Sequence, residues 1–511
     1  MNYANLFLVT LPETALEVAA LLALVMDLGF LRKAALKMRV AVAALLGVAG
    51  CGAALWTLQC TAGAGISFNG DLLLAQGGFT AVAQAGILVL TILTLLLFIG
   101  STFTRHAGEY VAVVLMAAAG GLIVASAQDL LVIFIGLELL SLGLYILTAF
   151  AKSSGKSAEA AMKYYLFGGM SAAFLLFGFS YLYGISGSTN LHKILLESFY
   201  SSASGGVPLL YVALVLIAAG LGFKVAAVPF HLWAPDTYEG APAPAAAFIA
   251  SVSKVASFAL LISISTAAIH LFDGVREMRF VAFTLGTPPK YLGLWIPWSL
   301  ILTVLSAASM VVGNLAALAQ ISVRRLLAYS AIAHAGYILL GLAFFSHSNS
   351  CANAIIYYIL TYGLTTIGAF GVVSVVEHAI GSDRLDSFLG LHKRNPLLAA
   401  VLLILFLSLA GIPPLVGFWA KFNIFAAVLG VSAGPVPFAL VALAVAMSAV
   451  SLYYYLQVLK RAYVMPAVDE SPIKAHPVTM VVLLAIAAAV VVLGCFPALL
   501  QGWIASFYPS M

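Results

Sequence analysis

An all-α protein that crosses a membrane many times is the fold this sequence predicts, and three observations predict it. Of its 511 residues, 63% are apolar and only 8% charged, where a soluble domain carries roughly 45–50% and about 25%. Mean hydropathy is +1.11, spread along the whole chain, which excludes a soluble enzyme with a single membrane anchor. The apolar residues run unbroken for helix lengths instead of alternating with period two, which excludes a β-barrel. The net charge of +5 sits in short segments between apolar runs and forms no patch, so it reports topology rather than nucleic-acid binding.

Apolar stretches bounded by charge, proline or Gly/Ser clusters give about fourteen spans. The first, 9–31, carries Glu13, Glu17 and Asp27 and has no basic segment before it, so it reads as a retained helix and not a cleaved signal. After the basic stretch 32–39 come 40–58, 79–100, 110–127, 129–150, 161–186, 208–231 and 244–270. The second half holds 294–319, 326–346, 353–378, 397–429, 437–463 and 478–500. The longest connections, 59–78, 187–207 and 271–293, read as surface loops, and no soluble domain is expected. Cys51, Cys60, Cys351 and Cys495 show neither a CxxC nor a Cys/His ligand spacing, so no iron-sulfur or zinc site is readable.

Lysines and arginines counted on alternate sides of these spans divide 15 to 4. The richer side is expected to be cytoplasmic, with both termini outside. Four of the 23 basic residues fit on neither side: Lys163, Lys224, Lys254 and Lys421 lie inside or at the edge of spans. Glu138 is a deep acid within FIGLELLSLGLY. Each such charge costs roughly 2.5–3.5 kcal/mol at mid-bilayer, so its presence points to function. Lys163 lies close enough to a span end to stretch toward headgroups; Lys224, Lys254 and Glu138 are flanked by apolar residues on both sides.

Two lysines sit beside interruptions. In GLGFKVAAVPFHLWAP, Pro229 removes a backbone donor five residues after Lys224; in LAGIPPLVGFWAKFN, Gly411, Pro413, Pro414 and Gly417 break a second span before Lys421. Broken helices at membrane depth are tolerated only where freed backbone lines protein or water, and a pair of them in two halves of a chain marks an ion pathway. Each break is the fourth span in a run of five. This divides the chain into 1–109, two five-helix units at 110–270 and 271–463, and 464–511; an odd number of helices makes the two units inverted. His334, near Ser330 and Tyr337, could relay protons or simply pack. His231 and Asp236 follow the first break and could admit protons or cap a helix.

The stretch GFKVAAVPFHLWAPDTYEGAPAP at 222–244 closely resembles the antiporter-like membrane subunits of proton-pumping NADH-quinone oxidoreductase, respiratory complex I, a family shared with multisubunit cation/proton antiporters. LPE at 11–13, EAAMKYYLFGG at 159–169, SAIAHAGY at 330–337 and LAGIPPLVGFWAKF at 409–422 extend the resemblance over essentially the whole chain. YEGAP directly after PD, a lysine rather than an acid at 421, and no long lateral helix after residue 500 separate it from the L- and M-like branches. PAPAAAF at 242–248 departs from the usual PTP and bears only on a local helix start.

The resemblance implies fourteen transmembrane helices with two inverted five-helix repeats and two broken helices. It implies that Glu138 pairs with Lys224, that Lys254 is the central relay lysine, Lys421 the terminal one, and that Lys163 contributes to the network. It implies a proton-translocating subunit of a multi-pass bacterial inner-membrane enzyme that couples electron transfer from NADH to quinone. FMN, iron-sulfur clusters and quinone would then lie in partner subunits, with no cofactor or metal on this chain. The partners expected are neighbouring antiporter-like and small membrane subunits, together with lipid and protons. The competing expectation is a sodium/proton antiporter subunit without redox partners.

Overall fold

The computed structural model describes residues 7–61, 65–68, 71–194, 207–284, 295–345, 349–431, 434–467 and 471–507. Its first crossing is α1 (Leu11–Val25), prolonged by a π turn at Met26–Phe30. Next come α2 (Leu36–Cys60), a hairpin of β1 (Gly65–Phe68) and β2 (Asp71–Ala75), and α3 (Phe79–Phe98). The first five-helix run is α4 (Ala107–Ser126), α5 (Leu130–Thr148), α6 (Gly155–Ser186), the split pair α7 (Val207–Val225) and α8 (Trp233–Gly240), and α9 (Ala243–Thr284). The second is α10 (Trp295–Leu318), α11 (Val323–Ala343), α12 (Asn349–Ile380), the split pair α13 (Pro396–Ala410) and α14 (Val416–Val431), and α15 (Pro435–Tyr463). α16 (Pro477–Cys495) and α17 (Pro497–Ser506) close the described chain.

Twelve of these helices are long and apolar enough to cross a bilayer. α1 with its π turn and the α13/α14 pair supply the two further crossings that the sequence predicts. Two connections differ from expectation. The stretch 59–78 holds the antiparallel hairpin, with Gly65 opposite Ala75. The stretch 271–293 begins as helix, because α9 continues to Thr284. Charged residues after 272 end the apolar slab there, but no proline ends the helix, and hydropathy measures only the former.

Burial sorts the helices. Over their apolar windows α9 and α11 are 94% buried and α12 is 89% buried, against 28% for α15 and 39% for α2 and α16. The first three form the central rods, and the others face outward. Close approach inside the core uses small residues: a β-carbon at Gly336 of α11 would lie 2.7 Å from the Met310 backbone nitrogen of α10. That contact holds one side of α11 against α10, and His334, two residues earlier, lies on the other side.

Candidate functional site

The site begins at the first break. α7 stops because Pro229 cannot donate to the Val225 carbonyl, and Ala226 takes a left-handed conformation with φ 59°. Local groups take up the loosened backbone: Ala227 N–H donates to Gly222 O at 2.8 Å, Val228 N–H to Ser309 Oγ at 2.9 Å, and Trp233 Nε1–H to Phe223 O at 3.0 Å. This seats Lys224 in the last turn of α7, with its side chain 7% exposed. Its ammonium donates to Ser141 Oγ at 2.5 Å and lies 3.8 Å from Glu138 Oε1. Ser141 and Glu138 are three apart on α5 and so share a face.

Lys254 lies on α9, 3% exposed. It donates to the Ala331 carbonyl of α11 at 2.5 Å, 5.5 Å from the Tyr362 ring centroid. That ring lies 4.8 Å from the His334 imidazole. His334 contacts Tyr358 OH through Nδ1 at 2.7 Å and Tyr455 OH through Nε2 at 3.4 Å, and Tyr455 in turn bonds Ser330. α9, α11 and α12 thus bring Lys254 and His334 into one polar cluster inside an apolar core, where every bond counts because no bulk solvent replaces it.

Lys421 follows the second break. Pro414 cannot donate to the Ala410 carbonyl, and that freed oxygen accepts from the Lys421 ammonium at 2.9 Å, while Ser448 Oγ accepts at 2.8 Å. Gly411 caps α13 at φ 89°, a conformation glycine takes without steric cost. A β-carbon there would also lie 3.3 Å from Lys421 Nζ, so the glycine makes room for the charge. Tyr337, whose ring centroid is 5.3 Å from Lys421 Nζ, accepts from Asn314 Nδ2 at 3.1 Å; Tyr454 OH donates to Asn314 Oδ1 at 3.1 Å. Lys421 shares a helix face with no acid and holds only neutral oxygens.

Lys163 stands apart from this line. Its side chain is 42% exposed and binds Glu159 at 2.7 Å and Asp236 at 2.8 Å. Asp236 also accepts from Arg325 at 2.7 Å, and Arg325 reaches Glu239 at 3.0 Å. Burial pushes the Asp236 carboxyl up, but the bonds from Lys163 and Arg325 outweigh it and hold the group below its usual range. These pairs fasten α8 to α6 and α11. His231 lies in the loop of the first break, buried, with no partner for Nδ1 among the described residues. Ser141, Ser448, Tyr358, Tyr362 and Tyr455 are site groups that sequence reasoning did not single out. Only Ser141 carried a signal, its spacing from Glu138.

The NADH:quinone oxidoreductase/Mrp antiporter transmembrane family matches residues 127–287 and 288–451. NADH-quinone oxidoreductase subunit N 2 of Acidobacterium capsulatum is 47% identical, covering 99% of this chain and 99% of its own. NAD(P)H-quinone oxidoreductase subunit 2 of Synechocystis is 37% identical, covering 91% of this chain and 84% of its own. A chain of respiratory complex I from Thermus thermophilus with bound aureothin superposes with a TM-score of 0.73 at 34% identity, covering 96% of this chain and 98% of that one. A chain of the Mrp complex from Dietzia does so with a TM-score of 0.78 at 22% identity, covering 99% and 98%, which shows a common fold. Fold and site together define a multi-pass, antiporter-like membrane subunit built around buried charge. The chain belongs to the NADH:quinone oxidoreductase/Mrp antiporter family, in its subunit N branch, as a proton-translocating membrane subunit of NADH-quinone oxidoreductase.

Proposed function

We propose that protons cross this subunit along its buried lysines, with Glu138 and Lys224 as the switch, Lys254 and His334 as the centre, and Lys421 as the outlet. The observation that carries the reading is that three ammonium groups lie buried in the helix bundle, each 8% exposed or less, with neutral oxygens as their nearest acceptors. At 3.8 Å and an effective dielectric near 20, Glu138 stabilises the charged Lys224 by about 4 kcal/mol. Drawing the acid away loosens the lysine's hold on its proton. Moving one charge against 150 to 200 mV takes roughly 3.5–4.6 kcal/mol, so the pair is matched to the task. Lys163 contributes from the rim, where it anchors α8.

Glu138 is 29% exposed on a face of α5 that also shows Leu131, Ile135, Leu142 and Ile146 at 50–63% exposure. A carboxylate in such a stripe is costly against lipid, which favours a neighbouring membrane subunit on this face, whose charges would act on the switch. The two matched stretches each contain one broken helix, which supports inverted five-helix units at 110–270 and 271–463 between 1–109 and 464–511. The lysine and arginine bias supports a bacterial inner membrane with the basic side cytoplasmic and both termini outside. FMN, iron-sulfur clusters and quinone belong in this reading to partner subunits. The antiporter reading without redox partners rests on the shared fold and on a family that also holds Mrp antiporters.

Lys254→Met in the assembled enzyme tests the path, because it keeps the side chain's length and removes its charge. The ratio of protons pumped to NADH oxidised falls; an unchanged ratio overturns the proposal.

A further inference from the structure

We propose that the cleft on the basic side of the molecule, between the ends of α9, α11, α12 and α16, binds a phosphate-bearing anion. The cleft measures about 910 Å³, and its walls come from both five-helix runs, the end of α3 and the segment before α16. Nothing in the proton path requires it, and it stands independently of that reading.

Charge is the first observation. Lys156, Arg324, Arg325, Arg384 and Lys474 line the cleft against Glu239, Glu377 and Asp383. Each acid is already engaged. Glu239 holds Lys156 at 3.3 Å and Arg325 at 3.0 Å, Glu377 holds Arg324 at 3.2 Å, and Asp383 accepts from the Ser322 hydroxyl. Among the described residues, neither Arg384 nor Lys474 is paired with an acid. The cleft therefore carries unbalanced positive charge.

Unmet donors are the second observation, independent of the first. Thr479 lines the cleft from the first turn of α16, is 6% exposed, and its hydroxyl has no partner among the described residues. Arg324 is 4% exposed, and its Nε–H is likewise unmet. Buried polar groups in folded proteins are nearly always satisfied, so two donors in the lining without a partner among the described residues call for an acceptor from outside the chain. A β-carbon at Gly100, another lining residue, would collide with the Thr479 hydroxyl; the glycine keeps that hydroxyl's place open. α9 and α16 both begin at this wall, and the positive ends of their dipoles favour negative charge.

The ligand must offer several acceptor oxygens and carry negative charge. A phosphate group does both. Leu97, Phe103 and Ile321 share the lining, so inorganic phosphate and the headgroup of an acidic phospholipid fit the same chemistry.

The test uses the purified whole enzyme in three forms: wild type, Thr479→Val, and Lys474→Gln combined with Arg384→Gln. Native mass spectrometry of the whole enzyme shows that each form is assembled with this subunit in place. Radiolabelled inorganic phosphate is measured by equilibrium dialysis. Phosphatidylglycerol against phosphatidylcholine is measured by native mass spectrometry after exchange into defined lipid. Wild type is expected to hold one more equivalent of one probe than either variant, with affinity about tenfold higher, the effect of losing a charge-assisted bond. A difference with phosphate identifies a soluble anion; a difference with phosphatidylglycerol alone identifies a lipid. Equal binding of both probes by all three forms overturns the proposal.

Discussion

At the first break Lys224 faces an acid, 3.8 Å from Glu138, on a helix whose flank is open. At the second, Lys421 faces only the Ala410 carbonyl and Ser448, with its side chain closed in. Both lysines lie close to a proline that leaves a carbonyl without its helical donor, but only the first has a partner whose charge an outside influence can alter. The difference teaches that a broken helix can hold a proton in two ways. One is a tunable ion pair; the other is a fixed cage of neutral oxygens.

The hardest blow to this comparison is Lys421→Ala. No neighbouring charge can substitute there, so proton movement through this subunit is expected to stop, read as fewer protons pumped per NADH. Should Lys421→Ala pump as well as wild type, the neutral cage has no part in transport. Glu138→Gln strikes the tunable end. It keeps a side chain of the same shape and removes the charge, and the part-exposed position screens some of the pair energy, so coupled turnover is expected to slow by about tenfold. An equal effect from Ser448→Ala would erase the distinction between the two breaks.

Gly411→Ala probes the cage from its backbone. A β-carbon in a left-handed residue costs roughly 1–2 kcal/mol, and here it also presses on Lys421. A several-fold fall in pumping with intact assembly is expected, while the same change at Gly29, with open space around it, has none. The smallest effect is at the rim. Asp236 has its folded value held down by Lys163 and Arg325, so its stabilisation is present at neutral pH. It fades as pH falls below the ordinary carboxylate range and through that lowered value. Thermal unfolding of wild type and Asp236→Asn therefore differs at pH 7 and converges in acid; a gap that widens in acid contradicts the assignment.

Much of this was legible beforehand because the bilayer reads composition directly. Apolar length set the spans, and Pro229, Pro413 and Pro414 announced both breaks, since a missing N–H acts whatever surrounds it. Hydropathy does not reveal the hairpin, although the sequence has Asn69-Gly70, a strong turn signal, between its two strands. Its strands are four and five residues long, too short to stand out in a sequence of long helices.

The sequence by itself determined that charges lie at membrane depth and which ones they are, because inserting a lysine has a cost that its neighbours along the chain cannot hide. Only the tertiary structure decided what each charge holds. Ala331, Tyr358 and Tyr455 lie 77, 24 and 121 residues from the groups they meet, and no local pattern encodes a meeting across that distance. Lys163 shows the same division. Its charge was plain in the sequence, but that it grips Asp236 at the rim instead of joining Lys224 in the core follows from how α6, α8 and α11 pack.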